Sequence, residues 1–300
     1  MNEKMIPPKK LGRYYKAFAD KLSPKTLDEN GVPLLPFGPP LGPQYSPVQV
    51  SQYALGLFNR YIEKGREEDR KSFLALADWF VRSAVRRNDF LVWEYRYDLW
   101  KYNARAPWIS GMAQGEALSV LLRAYELTER DVYRDAATQS LGSFEHEIEK
   151  RGVRSRDRQG RVFYEEVAAD PPAHILNGFI SALWGLEEYH RVFKDSRSLS
   201  LFNVGIQTLN ERLADYDNGY WTRYSLLYPN QIAATHYHRV HILQMDTLLA
   251  ITGQEVFGEW AERWRRYQHN VFSRMKQAVA YRWFRLFYLI RRLRTFLSLS

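Results

Sequence analysis

Two adjacent carboxylates have the setting in this sequence that most favours chemistry. Glu165 and Glu166 lie in the segment YEEVAADPPAHILNGF (164–179), just before a Pro-Pro pair and an apolar helix. In an extended segment, neighbouring side chains point in opposite directions, so the two acids cannot face one partner. One carboxylate on a stiff loop could act as a general acid or base, whereas a solvated acidic loop is the plainer interpretation.

A second group of chemically capable residues is aromatic and cationic. The segment DNGYWTRYSLLYPNQIAATHYHRVHILQM (217–245) contains Tyr220, Trp221, Arg223 and Tyr224 within five positions. Tyr and Trp offer a flat apolar face and a polar edge, which suits stacking on a sugar ring. The pattern predicts a sugar-binding wall, with a packed aromatic loop as the alternative.

Histidines follow in the same segment. His238 and His241 are three residues apart, so they would share one helical face, with Tyr237 beside them. A zinc site would need a third ligand and supporting groups, and no HExxH pattern is present. We therefore predict no metal and a hydrogen-bonding role toward a polar ligand, with a core role open for His241.

Small residues mark a third region, NARAPWISGMAQGEAL (103–118). Trp108 is followed by Ser110, Gly111, Ala113 and Gly115, which permit a close backbone approach at a helix start. The sequence has no P-loop, no GxGxxG after a strand and no GxSxG elbow. Nucleotide cofactors and serine hydrolysis therefore lack support, and no cofactor is predicted.

Helices must position these groups, because apolar residues recur at helical spacing through most of the chain. Pro47 suits a first helical turn and Gly65 a helix end. The predicted helices cover 47–64, 67–87, 111–127, 131–150, 173–192, 196–214, 237–252 and 255–270. Strand signals are sparse, and residues 90–102 are expected to pair near 161–167. The pattern predicts an all-α fold, an α/α toroid or incomplete (α/α) barrel with a small amount of β structure in connectors. A loose helical bundle or solenoid is the alternative.

Composition limits the function classes. The net charge is +9, and seven of the cations, with no acid, fall in residues 271–300. There is no cysteine, which excludes disulfides and fits a reducing compartment. Neither a signal peptide nor a membrane span is evident. We expect a Pro-rich arm (1–46), a helical catalytic domain (47–270), a basic aromatic tail (271–300) and a cytoplasmic location.

Five blocks together resemble the glucuronyl C5-epimerases, which convert D-glucuronate to L-iduronate within heparosan and heparan-type chains. The blocks occur in the order and spacing of that family from about Gly42 to Tyr267, and they read PVQVSQYAL (47–55), SGMAQGEALSVLLRAY (110–125), YEEVAADPPAHILNGF (164–179), YDNGYWTRYSL (216–226) and YHRVHILQM (237–245). The resemblance implies an α/α-barrel catalytic domain with a long cleft for a polysaccharide. It also implies a reduced, bacterial-type member, because only about residues 66–107 stand where the animal enzymes carry a β-rich insertion.

The resemblance also assigns roles to single residues. Glu166 matches the catalytic glutamate, Tyr237 the catalytic tyrosine, and Tyr224 a tyrosine that positions substrate or assists proton transfer. Predicted substrate-binding residues, from the resemblance and the motifs together, are Arg223, Arg105, Glu165, Asn177, Trp108, Tyr220, Trp221, His238, His241 and Gln114.

Two positions depart from the family pattern. Val167 replaces the tyrosine that follows Glu-Glu, and Leu227 replaces an arginine three residues after the family's tyrosine. A cation that neutralises the substrate carboxylate must therefore come from elsewhere. Arg223 is the nearest candidate, and Arg105 and Arg239 are the others.

These observations favour a polysaccharide hexuronate C5-epimerase that acts on an acidic polysaccharide without a cofactor. A polysaccharide lyase, which shares the first proton abstraction, and a non-catalytic glycan-binding protein are the alternatives. In the tail, arginines spread around the helix axis, so a clean amphipathic surface is not expected. Trp283, Phe284, Phe287 and Tyr288 beside seven cations favour contact with an anionic membrane at the inner face, with a packed or disordered tail equally open. No nucleic-acid motif is present, and a homodimer is an open option.

Overall fold

Helix α1 (Pro47–Lys64) begins and ends where the sequence predicts. Pro47 occupies the first turn, and Gly65 adopts the left-handed conformation (φ 63°) that ends the helix, donating its N–H to the Tyr61 carbonyl at 2.7 Å. Val50 and Phe58 on its apolar face are fully buried. The computed structural model describes residues 10–228 and 230–297, with side chains in the last helix up to Phe284 and that of Leu286.

The remaining described helices follow the predicted periodicity, with two corrections. They are α2 (Glu67–Ser83), α3 (Gly111–Thr128), α4 (Asp131–Ser140), α5 (Gly142–Glu145), α6 (Leu176–Phe193), α7 (Ser196–Arg212), α8 (Thr235–Thr252), α9 (Glu255–His269) and α10 (Val271–Leu297). The predicted helix 67–87 ends at Ser83, and the predicted helix 131–150 breaks after Ser140. At Gly142, a Cβ would lie 2.5 Å from the Cβ of Phe90, so this position requires a residue that weakens a helix interior.

The described strands form four antiparallel pairs of two strands each. They are β1 (Leu34–Leu35) with β2 (Gln44–Tyr45), β3 (Val85–Arg87) with β4 (Phe90–Val92), β5 (Glu94–Tyr95) with β6 (Trp108–Ile109), and β7 (Arg154–Arg156) with β8 (Val162–Tyr164). The expected pairing of 90–102 with 161–167 is therefore wrong. Each strand instead pairs with one that returns after a short loop, which costs less chain entropy to close.

The chain divides into two compact units. Unit 1 contains the residues up to Pro172 together with Gly178–Ile206, and unit 2 contains Ala173–Asn177 and the residues from Gln207 onward. Helices begin at Pro47 and Val271, where the predicted catalytic domain and tail begin, but those domain boundaries themselves stay a prediction. Residues 1–9 of the predicted arm and 298–300 of the predicted tail lie outside the described residues.

Unit 1 has an aromatic core and one very close helix contact. Its largest fully buried side chains include Phe58, Phe73, Phe80, Trp93 and Trp184. A Cβ on Gly115 of α3 would lie 2.6 Å from the Cα of Ala182 on α6, so the glycine of the SGMAQGEA block lets these two helices touch at the backbone. That contact fixes α3 against α6, and both carry or support candidate site residues.

Unit 2 is built on α8 packed against α9. Met245 and Leu248 of α8 are fully buried, as are Phe257 and Trp264 of α9. The helix α10 follows after Asn270 and contacts α9. Across the described part of the chain, no helix is both long enough and apolar enough to cross a bilayer.

Candidate active site

Glu165 is a buried structural carboxylate. Its side chain is only 1% exposed, and Oε1 accepts a hydrogen bond from the Ser155 hydroxyl at 2.6 Å. Its backbone N–H donates to the Val153 carbonyl at 2.8 Å, and its carbonyl accepts from the Gly111 N–H at 2.7 Å. These bonds tie the strand β8 end to the start of α3. Glu165 therefore holds the loop in place, and its predicted role in substrate binding stays a prediction.

Glu166 points the other way and is half-buried. A Cβ on Gly178 would lie 2.3 Å from Glu166 Oε2 and 2.4 Å from its Cβ, so the side chain rests directly against a glycine in the first turn of α6. Two residues later, the Ala168 N–H donates to the Ile109 carbonyl at 3.0 Å and holds the loop after the carboxylate. The glycine of the LNGF block thus provides the space that Glu166 occupies.

Lys101 is a cation near Glu166 that the sequence analysis missed. It lies in a 3-10 turn (Trp100–Tyr102), with Nζ 4.9 Å from the centre of the Tyr102 ring. Burial lowers the pKa of Lys101, and the charge of Glu166 raises it again. The turn is tied to the Glu166 loop because Asn103 Nδ2 donates to the Asp170 carbonyl at 3.1 Å. No motif marks this lysine, so only the folded chain reveals its position.

Glu116 on α3 is a second carboxylate with an unusual environment in unit 1. It is fully buried, and burial raises its pKa to about 7. Hydrogen bonds from the Ser51 hydroxyl (2.7 Å) and Gln52 Nε2 (3.2 Å) oppose that rise, as does the charge of Lys16. The charge of Glu166 adds to the rise, so the two carboxylates sense each other.

In unit 2, the two candidate tyrosines contact each other. The Tyr224 and Tyr237 ring centres are 4.6 Å apart at 61°, an edge-to-face arrangement. Tyr224 is buried, and its backbone donates to the Gln231 carbonyl at 2.9 Å and accepts from the Leu176 N–H at 3.2 Å. Tyr237 is half-buried in the first turn of α8. The predicted catalytic tyrosine and its predicted helper are therefore brought together.

The two histidines share one threonine. His238 Nδ1 and His241 Nδ1 each lie 2.9 Å from Thr222 Oγ1, and His238 Nε2 lies 3.0 Å from the Trp264 carbonyl. A carbonyl only accepts, so His238 must carry its proton on Nε2. Burial lowers the pKa of His238 to about 4 and that of His241 well below its usual value, so both rings are neutral at pH 7.

Neutrality fixes every proton in this chain of bonds. With its proton on Nε2, His238 accepts from the Thr222 hydroxyl at Nδ1, so Thr222 Oγ1 must accept from the Nδ1–H of His241. The Nε2 of His241 then bears a lone pair, and this buried atom has no hydrogen-bond partner among the described residues. Both rings lie inside unit 2 and hold Thr222 beside Arg223, and their predicted contact with substrate stays a prediction.

The arginines predicted to bind the substrate carboxylate differ in the partners that they already have. Arg105 is bound to Asp98 (Nη1 to Oδ2 2.7 Å) and stacks on Trp100 at 3.9 Å. Arg223 is half-buried, is not in an ion pair among the described residues, and has a buried Nε without a partner. Arg239 is exposed on α8. In unit 2, Arg223 is therefore the best-placed guanidinium for a carboxylate, directly before Tyr224 in the chain.

Several residues predicted to contact substrate are buried and packed against other parts of the protein. Trp108 is buried and stacks on Tyr95 (4.0 Å, 6°), and the Gln114 amide pairs with both backbone groups of Trp93 at 3.2 and 3.3 Å. The Trp221 indole is buried, stacks on His238 at 3.8 Å and donates to the Ala233 carbonyl at 3.0 Å.

The other two predicted contacts lie in unit 2. Tyr220 is half-buried, with the Lys276 ammonium 5.8 Å from its ring centre. The Asn177 carbonyl accepts from Gln244 Nε2 at 2.8 Å. The residues of the expected sugar-binding wall thus contact other groups of unit 2, with Trp221 on His238, Tyr224 on Tyr237 and Tyr220 near Lys276. Of the groups that could coordinate a metal, no three come together in the described part of the chain.

Comparison with known proteins identifies the family. The family described as D-glucuronyl C5-epimerase C-terminus matches residues 87–266. This chain belongs to that family. A D-glucuronyl C5-epimerase of Caenorhabditis elegans is 30% identical over 228 residues, which are 70% of this chain but 37% of the worm protein. An uncharacterized protein of Methanocaldococcus jannaschii, MJ1128, is 27% identical over 242 residues, covering 75% of this chain and 78% of that protein.

A solved structure shows the fold. The unsaturated glucuronyl hydrolase of Bacillus sp. GL1 superposes with a TM-score of 0.52 at 17% identity, covering 73% of this chain and 61% of the hydrolase. This likeness confirms the predicted α/α-barrel fold class. Family membership gives the coarse function, a role of the C5-epimerase type on a carbohydrate.

Proposed function

We propose that this protein is a polysaccharide hexuronate C5-epimerase that converts D-glucuronate to L-iduronate in a heparosan-like chain. One group removes the C5 proton from one face of the uronate, and a second group returns a proton to the opposite face. Glu166 and Tyr237 are the two proton carriers, and Tyr224 positions Tyr237. The proposal requires both carriers to reach one C5 carbon.

The electron count explains why no cofactor is needed. The pair that forms the C5–H bond moves into the adjacent carboxylate to give an enediolate, then returns to C5 when the new bond forms. The barrier lies in adding negative charge to a carboxylate that is already anionic. The site must therefore supply a cation or hydrogen-bond donors to that carboxylate.

The observation that carries the proposal is the division of labour between two neighbouring acids. Glu165 is buried and accepts from Ser155, whereas Glu166 is half-buried, fits against Gly178 and lies within the field of Lys101. The carboxylate that matches the family's catalytic glutamate is the half-buried one, Glu166. The family match over residues 87–266 includes it.

Two cations suit the substrate carboxylate. Lys101 is near Glu166 in unit 1, and Arg223 directly precedes Tyr224 in unit 2. Either can offset the growing charge of the enediolate, and Arg223 can also bind a carboxylate through two parallel hydrogen bonds. Arg105 is less suited because Asp98 already engages it.

The decisive experiment is incubation with heparosan in heavy water, followed by NMR at C5. Deuterium at C5 together with iduronate supports the proposal. Loss of the C5 proton without deuterium incorporation, coupled to an unsaturated uronate and chain cleavage, would identify a polysaccharide lyase. Binding of heparosan without any exchange, beside an active epimerase as control, would identify a glycan-binding protein and refute the proposal.

Single variants sharpen the two-carrier assignment. Glu166→Gln and Tyr237→Phe should each abolish net inversion, because each removes the proton carrier for one face. Each variant should retain C5 exchange with at most one of the two epimers, and the retained epimer should differ between the variants. Loss of exchange with the same epimer in both variants would contradict opposite-face carriers.

The setting of the reaction is part of the proposal. A reducing, cytoplasmic compartment fits a 300-residue chain without cysteine. An acidic polysaccharide is the proposed partner. Homodimer formation stays a prediction from the sequence, as does contact with an anionic membrane.

A further inference from the structure

Helix α10 exposes large apolar side chains while it buries polar ones. Ser273 and Gln277 are buried against the protein. The exposed side chains include, beside cations, Phe272 (76%), Met275 (61%), Val279 (57%), Trp283 (68%) and Leu286 (48%). An amphipathic helix on a globular protein normally buries such residues. The exposed face, called here the α10 apolar stripe, therefore calls for a partner.

The stripe is continuous. Its members follow one another at steps of three, four, four and three residues, which keeps them on one side of an α-helix. The same spacing continues in the sequence at Ile290, Leu293 and Leu297. The expectation that α10 lacks a clean amphipathic surface was based on the positions of the arginines alone. It did not consider the spacing of the apolar residues.

Contacts on the other side fix the rotation of α10. Gln277 Nε2 donates to the Ala233 carbonyl at 3.3 Å, and the Phe284 ring centre lies 6.3 Å from that of Tyr228. Lys276 lies over Tyr220. Because these contacts hold the side with Gln277 and Phe284 inward, the stripe cannot rotate into unit 2 without breaking them.

The charges around the stripe select its partner. Lys276 and Arg282 lie three residues to either side of Val279, so each is at an edge of the stripe, and residues 271–300 contain no acid. Two copies joined along this stripe would bring cations together without an acidic partner. An anionic lipid surface offers hydrocarbon to the stripe and negative headgroups to the flanking cations. Trp283 suits the boundary between them, since indoles favour the headgroup level.

We propose that the α10 apolar stripe docks on the surface of a membrane that contains anionic lipid, lying in the plane of the interface. The surface belongs to unit 2 and contains none of the candidate catalytic residues. Its use does not depend on the proposed reaction.

Vesicle co-sedimentation of the full chain tests the proposal. The protein should bind phosphatidylcholine vesicles that contain phosphatidylglycerol, and bind pure phosphatidylcholine at least about tenfold more weakly, because two or more cations each contribute about fivefold. Trp283→Ser should reduce binding about tenfold or more, whereas Trp100→Ser is the matched control, since Trp100 is 67% exposed in unit 1. Added salt should weaken binding of the wild type.

Three results would overturn the proposal. One is no binding to the anionic vesicles, and another is equal binding by Trp283→Ser and Trp100→Ser. The third is a dimer in analytical ultracentrifugation that Trp283→Ser dissociates, because the stripe would then be an interface between two copies. Far-ultraviolet circular dichroism of both variants checks that the fold is retained. Because both tryptophans are exposed, neither substitution is expected to unfold the protein.

Discussion

The two compact units carry candidate residues of different chemistry. Unit 1 contributes charged groups on short loops, with Glu166 against Gly178 and Lys101 in the neighbouring turn. Unit 2 contributes the phenol of Tyr237 at the start of α8, two uncharged histidines and the guanidinium of Arg223. A carboxylate and a phenol have different intrinsic proton affinities, so the carriers proposed for the two faces of C5 are unlike each other.

The largest expected effect separates the two acids of unit 1. Glu166→Gln should lower the rate of iduronate formation from heparosan by about 10²–10⁴-fold, the usual contribution of a general acid or base, with little change in melting temperature. Glu165→Gln should do the reverse, lowering thermal stability by disturbing the Ser155 bond while the rate per folded molecule falls far less. Calorimetry beside the NMR exchange assay compares both. Equal loss of rate in the two variants would remove the distinction drawn between them.

A smaller effect is expected when Glu166 is kept but displaced. Gly178→Ala adds a methyl group that would lie 2.4 Å from the Glu166 Cβ, so the carboxylate must move. A shift of about 1 Å at a reacting group can cost about 10²-fold in rate. Gly205→Ala is a control for adding a methyl group in unit 1, since its close contact is the end of the Leu183 side chain. An unchanged rate in Gly178→Ala would show that the reaction does not depend on the position of Glu166 against Gly178.

The corresponding change in unit 2 acts on its neutral network. Thr222→Val removes the hydroxyl that joins His238 and His241, leaving buried ring nitrogens unsatisfied. The free energy of unfolding should fall by about 1–3 kcal/mol for each lost partner. In Thr222→Ser, which keeps the hydroxyl, the free energy of unfolding should fall much less. Urea unfolding measures both variants. Similar losses in the two variants would indicate that the methyl group, rather than the bonds, matters.

The smallest effect is a difference in pH response. Glu116 has a pKa raised from 4.5 to about 7, so the folded state holds a proton that the unfolded state releases, and stability falls as pH rises through that window. His238 has a pKa lowered from 6.5 to about 4, so the unfolded state binds the extra proton, and stability falls as pH falls through that window. The two slopes oppose each other between about pH 4.5 and 6.5.

Glu116→Gln should therefore unmask the histidine slope. Between pH 6.5 and 4.5, the variant should lose up to about 1.4 kcal/mol more per pH unit than the wild type in urea unfolding. Glu149→Gln, at an exposed position, is the matched control. Parallel pH curves for Glu116→Gln and the wild type would show that Glu116 is ionised in the folded state.

The sequence predicted those features that depend on local chain physics. Helix α1 has the predicted bounds because Pro47 and Gly65 act on the backbone next to them. The pairing of 90–102 with 161–167 was wrong, because a two- or three-residue strand carries too little pattern to specify a distant partner. The family blocks singled out Tyr224 and Tyr237, whose rings the structure places in contact, and the helical spacing predicted the α/α-barrel class.

Other features of the site could not be predicted from residue types. Glu165 and Glu166 look alike in the sequence, and only Ser155 and Gly178, which come from different elements, distinguish them. Lys101 has no motif around it. Trp221 suggested a sugar platform, yet its indole is buried with a partner at Ala233, a contact that tertiary packing alone decides.

The Ala233 carbonyl has a consequence for motion in unit 2. This one oxygen accepts from both the Trp221 indole and the Gln277 amide, and it lies two residues before α8 begins. Detachment of α10 would withdraw one of those donors and leave the oxygen partly unsatisfied in a dry setting. The side-chain amide hydrogen of Gln277 can therefore act as a reporter, with its solvent-exchange rate recording how often the last helix lifts away from the segment that leads into Tyr237.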